Sequence, residues 1–165
     1  MKNVRAHYRW MLAVLVLVQV AACRADTTTT KPADAWAKIS VSIKEKAFTL
    51  DVADTDAKRQ QGLMERKSLG ADEGMIFVFD VPDYYSFWMH DTVIPLDLVY
   101  LDGDGKVVDI RPLKPKDETS VTPRSKAKYA IELNAGTCKA LGLTIGNKIA
   151  LPEKFGKTGD GKGQG

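Results

Sequence analysis

The sequence predicts a mainly β domain, an antiparallel β-sandwich or barrel-like fold with two short accessory helices. Three observations carry this expectation. Apolar and polar residues alternate along the chain, as in Ile39, Val41, Ile43 and again in Phe48, Leu50, Val52, which is the period of strands with one buried face. Turn signals separate such runs, most plainly Val81-Pro82-Asp83 and Asp102-Gly103-Asp104-Gly105, whose Pro, Gly and Asp favour tight reversals. Helical signals are confined to two places.

In chain order, two half-buried strands at 39–43 and 48–52 come first. A helix is expected over 55–69, capped by Asp54 or Thr55 and closed by Gly70. Residues 74–79 are apolar on both faces, which fits a central strand covered on each side, with Met75, Phe77 and Phe79 in the core. A strand over 85–90 follows, and its alternation sends Phe87 and Met89 to one face and Trp88 and His90 to the other. Beyond Pro95, a strand at 96–101 is joined by the Asp-Gly-Asp-Gly hairpin to one at 106–110. Strands at 129–133 and 148–151 bring the count to roughly eight. The connection over 112–127, with Pro115 and Pro123, is too long for a hairpin, and loops of that length are either functional lids or simply mobile. A short helix around Cys138, with Asn134 as cap and Gly142 as stop, turns Cys138 and Leu141 inward.

The ends of the chain give its address. Lys2, Arg5 and Arg9 precede the apolar run 10–20, which is shorter than the ~20 residues of a membrane span and has the form of a secretory signal. It closes on Val20-Ala21-Ala22-Cys23, which resembles the bacterial lipobox and implies cleavage before Cys23 with diacylation of its thiol. The alternative is a cut after Ala25 that leaves a soluble secreted protein. Residues 1–22 are thus expected to be a signal peptide, 23–35 a flexible tether with four consecutive threonines, 36–155 a single domain, and 156–165 a disordered Gly/Lys tail. The expected location is the periplasm, with the membrane as partner through the lipid. With Cys23 acylated, Cys138 is left as a buried free thiol.

Length and charge exclude other classes. A chain of 165 residues buries roughly two thirds of its unfolded surface in one core, and 44% hydrophobic residues argue against wholesale disorder. The net charge of +3 comes from Lys2, Arg5 and Arg9; without them 24 − 3 = 21 basic residues face 21 acidic ones. Such a chain lacks the field that nonspecific phosphate binding requires, so nucleic acid is not an expected partner.

The central motifs add a family. Arg59, Gly62-Leu63-Met64, Arg66 and Leu69, then Gly74-Met75, Phe77 and Phe79, precede Phe87-Trp88-Met89, Thr92 and Ile94-Pro95-Leu96-Asp97. Asp102, Gly105, Ala130, Glu132 and Gly136 follow. This ordered series resembles the bacterial and archaeal family called domain of unknown function 192, or uncharacterised protein family 0127, from about Phe48 to Leu151. The resemblance implies a small, mainly β sandwich, often exported or membrane-linked, and brings no reaction with it. After Phe-Trp-Met the family usually has a long basic residue; here it is His90, so a role for His90 is not a family role.

The candidate site residues are Arg59, Trp88, Met89, His90, Thr92, Asp97 and Glu132. Asp97 and Glu132 lie among apolar neighbours, where a carboxylate needs a partner, and Arg59 or Arg66 is expected to reach one of them. Such a pair either braces the fold or serves a site. The leading functional reading is a small-molecule or envelope-component binding module with no cofactor or metal. One alternative is a hydrolase or lyase using Asp97 and Glu132 as a carboxylate pair, with His90 or Arg59 assisting. Another is copper binding through Met64, Met75, Met89 and His90, soft ligands suited to that metal.

Overall fold

The computed structural model describes residues 36–156. The expected signal peptide, the acylated Cys23, the tether and the tail beyond Gly156 lie outside the described residues. The elements are β1 (Lys38–Ile43), β2 (Lys46–Ala53), α1 (Asp56–Gln61), β3 (Glu73–Asp83), β4 (Leu96–Leu101), β5 (Val107–Leu113), β6 (Ala127–Asn134), α2 (Thr137–Ala140) and α3 (Glu153–Gly156). The fold is mainly β, as expected, but its six strands form one mixed sheet in the order β1-β2-β3-β6-β4-β5. The sheet does not close into a barrel.

One pair decides the mixed character. β2 and β3 run parallel, Val52 opposite Ile76, because residues 54–72 with α1 form the crossover that parallel strands need. The other ladders are antiparallel, including the β4–β5 hairpin. At its turn the Asp102 Oδ1 accepts from the amides of Asp104 and Lys106, both at 2.9 Å.

The helix expected over 55–69 stops at residue 61. Thr55 caps it, its hydroxyl accepting from the Lys58 amide, and Gly62 ends it with φ +48, a left-handed turn that glycine tolerates far better than a side chain does. The expected strand at 85–90 is reduced to a single bridge between Phe87 and Val121. Its other bonds go to the 112–127 connection, with the Met89 amide donating to Asp117 O and the Lys116 amide to Thr92 O. That connection is therefore pinned along its length. The expected strand at 148–151 also pairs only once, at Lys148, since its neighbours hydrogen-bond to the hairpin tip at Gly105.

Both faces of the sheet carry core. On the first, Val41, Leu50, Ile76, Val99, Tyr129 and Ile131 pack with Cys138 and Leu143. On the second, Met75, Phe77, Leu98, Tyr100 and Ala130 pack with Leu63 and Met89. All six residues of β4 are buried, as is usual for a central strand. The N-cap of α2 is Gly136 rather than Asn134, whose side-chain amide instead donates to the carbonyls of Leu69 and Gly70.

Candidate functional site

Period two along β6 places Ala130 and Glu132 on the second face, opposite Phe77 and Met75 of β3, with Leu98 of β4 on the other flank of Glu132. α1 and the 85–92 segment lie over this part of the sheet and leave a cleft of about 210 Å³ between them. Gly62 turns the chain at the helix end through its positive φ, and a Cβ there would only make ordinary contact with Phe77 Cζ at 3.4 Å. Arg59, Leu63 and Met64 form one wall; Phe79, Tyr85, Phe87 and Trp88 form the other. Phe77, Thr92 and Glu132 also line it, all three being buried.

Glu132 is the unusual member. It is 4% exposed, and among the described residues its Oε2 has no hydrogen-bond partner. Burial alone pushes its carboxyl up to about 8, because a charge in a poorly solvated site is disfavoured. At neutral pH it is mostly a neutral acid, able both to donate and to accept.

Arg59, expected to reach a buried carboxylate, does not. Its Nη1 donates to Val78 O at 2.7 Å and its Nη2 to Asp56 Oδ1 at 2.5 Å, while the guanidinium lies 5.4 Å from the Phe79 ring centre. Arg66 is taken by Asp51 at 2.5 Å, which Lys38 also approaches at 3.4 Å. Phe79 stacks on Tyr85, and Phe87 meets Phe77 and Tyr100 edge-on at 4.8 and 5.7 Å. These contacts hold the aromatic wall rigid.

Trp88 is 52% exposed at the rim and stacks on His90, with centroids 5.0 Å apart. His90 in turn meets Glu118 at 2.8 Å through Nδ1 and Asp91 at 3.3 Å through Nε2. Its pKa is raised, chiefly by the Glu118 hydrogen bond. The alternation expected from the sequence is present: Phe87 and Met89 point inward, Trp88 and His90 outward.

Of the residues singled out in the sequence, Arg59, Trp88, Thr92 and Glu132 share the cleft. Met89 is instead core and lines a smaller recess against Asp117 and Val121. Asp97 lies elsewhere: its Oδ2 accepts from the Cys138 amide at 2.8 Å, beside the first-face residues Val99 and Leu101. It therefore faces away from Glu132, and the two carboxyls cannot work as a pair across one cleft. Cys138 is buried and free, and burial, aided by Asp97, pushes its thiol up to about 12. The soft-ligand set is dispersed, with Met75 and Met89 in core, Met64 on the cleft wall and His90 held by Glu118. The walls Phe79, Tyr85 and Phe87 were not sequence candidates; only the inward phase of Phe87 signalled one of them.

Fold and cleft together define a small, single-sheet, mainly β domain with one aromatic-walled recess built over its second face. The chain belongs to the domain of unknown function 192 family, described as "Uncharacterized ACR", which matches residues 38–151. It is 28% identical over 102 residues to an uncharacterised protein family 0127 member from Pyrococcus abyssi, covering 61% of this chain and 83% of that one. A Pyrococcus furiosus member is 30% identical over 108 residues, covering 64% and 89%. Among solved structures, a Sinorhizobium meliloti 1021 protein described as a candidate transcription regulator superposes with TM-score 0.66 at 31% identity, over 70% of this chain and 95% of that one. A protein of unknown function from Novosphingobium aromaticivorans gives 0.64 at 32%, over 73% and 90%.

Proposed function

We propose that this family member is an exported binding module, anchored in the cell envelope by lipid on Cys23, whose cleft takes a small ligand. The observation that supports it is Glu132. Leaving a buried polar atom unpaired costs about 1 to 3 kcal/mol, and such a group at the floor of an open recess is better explained by a visiting partner than by folding. Rigid aromatic walls and a few convergent polar groups are the usual makeup of a ligand site. The sequence before Cys23 supports export and acylation. Gene regulation does not carry over from the Sinorhizobium relative's description, because 21 basic residues balance 21 acidic ones after the leader and give no field for phosphate.

The test is a thermal-shift screen of the detergent-solubilised full chain against cationic, anionic and neutral small molecules. At least one compound is expected to raise the melting temperature of the parent and to lose that effect in Trp88→Ala. If no compound of any charge class stabilises the parent, the cleft is not a ligand site.

A further inference from the structure

We infer that the cleft recognises one uncharged, hydroxylated ring, a monosaccharide unit, laid against Trp88 and hydrogen-bonded at the floor by Glu132. This deepens the binding reading above and rests on it. Four features of the cleft converge on that chemistry.

Size comes first. A volume of about 210 Å³ is below the roughly 300 Å³ at which drug-sized sites begin, so the occupant is a single ring rather than a linked pair buried whole. Charge is second. A cation would have to strip the proton from Glu132 and would share the cleft with the Arg59 guanidinium. An anion would find that guanidinium already engaged by Val78 O and Asp56. A neutral molecule meets neither penalty.

The third feature is the arrangement of rings. Among the described residues Phe79 is stacked on Tyr85, Phe87 is held edge-on between Phe77 and Tyr100, and Trp88 is stacked on His90, so each ring already has a partner rather than standing as half of an open sandwich. A nucleobase slot needs such a sandwich, whereas the apolar face of a sugar needs only one platform. Half-exposed Trp88 provides it. Fourth, the polar groups suit hydroxyls. Glu132 as an acid offers a donor and an acceptor, and the side chains of Gln60, Gln61 and Ser86 sit nearer the mouth.

The charged and titratable groups around Glu132 define the pH response. Arg59 faces the cleft from α1, and Tyr85 lines it from the 85–92 segment. From β4, the Tyr100 hydroxyl is pushed well above the usual phenol range by burial first, with Asp109 and Glu132 adding to the rise. Lys128 is the other charged residue of β6, four positions away. Burial raises both phenols above their ordinary range, so Tyr85 and Tyr100 stay neutral between pH 7 and 9 while Glu132 titrates near 8; His90, stacked on Trp88 outside the floor, is raised chiefly by its Glu118 hydrogen bond.

Calorimetric titration of the solubilised full chain with neutral hexoses and N-acetylhexosamines, beside glucosamine and glucuronate, tests this. At pH 6, where the amine and the uronate are both charged, a neutral sugar is expected to bind at least tenfold tighter than either. Its affinity should fall about tenfold from pH 7 to pH 9 as Glu132 loses its proton. Glu132→Gln should keep the binding and abolish that pH dependence, and its melting curve reports whether it folds. Tighter binding of a charged sugar, or affinity that rises with pH, overturns the proposal. If no sugar binds while another compound in the wider screen does, the sugar assignment falls and the binding reading stands; silence in both removes both.

Discussion

At the scale of single residues, the same carboxyl that shapes the cleft should weaken the fold in alkali. Glu132 is held near pKa 8 in the folded chain against an ordinary 4.5, so between those values the folded state binds more protons than the unfolded one. Stability must then fall as pH rises through that window, with the penalty absent below about pH 4.5 and complete above about 8. The ceiling is about 5 kcal/mol, at about 1.4 kcal/mol per unit. Glu132→Gln removes the charge and keeps the shape. Its melting temperature should match the parent near pH 5 and exceed it by several degrees at pH 8.5. Parallel melting profiles for the two proteins would show that Glu132 titrates normally. Asp97, equally apolar in its sequence context, serves differently: its bond to the Cys138 amide ties β4 to α2. What separates the two carboxyls is the side of the sheet on which each emerges.

Among the elements, β3 and β6 hold the floor of the cleft, and their spacing depends on Gly74. A Cβ at that position would stand 2.5 Å from Glu132 O and 2.8 Å from Leu50 Cδ2, closer than real side chains pack. Gly74→Ala must therefore push the two central strands apart. The expected loss is about 2 to 3 kcal/mol, the scale of an overpacked core, measurable by denaturant unfolding. A wild-type midpoint would show that the ladder yields freely there. The 112–127 connection also belongs to this scale. Ser86 meets Thr122 at 2.7 Å, Tyr100 donates to Val121 O at 2.9 Å, and Glu118 holds His90 under Trp88. It buttresses the cleft rim from outside, which is why an irregular segment of that length is ordered.

For the whole molecule, the open sheet needs no second sheet because α1, the 85–92 segment and the 112–127 connection cover its second face. The lipid anchor proposed on Cys23 belongs to this scale as well. If Cys23 carries lipid, the parent should sediment with membranes and incorporate labelled fatty acid, since each buried methylene contributes ~0.8 kcal/mol. Cys23→Ser should retain the leader and take up no label. Identical processing and fractionation of the two, with no label in the parent, would overturn the anchor.

Local features are legible in the chain. Period two marked the strands, the Asp-Gly-Asp-Gly turn marked a hairpin, and the alternation of Phe87, Trp88, Met89 and His90 sorted inward from outward side chains. The composite of Arg59, Trp88, Thr92 and Glu132 was also visible as residue types. Which of these residues meet is set by long-range packing. Alternation says on which side of its own strand a residue stands, but not which strand is its neighbour or what covers that face. Those choices rest on the parallel pairing of β2 with β3 and on the insertion of β6 between β3 and β4, contacts set by residues far apart in the chain. Hence Asp97 and Glu132, alike in sequence, part to opposite faces. Phe79 and Tyr85, ordinary in sequence, become the walls of a site because a helix that ends at Gly62 leaves room above Phe77.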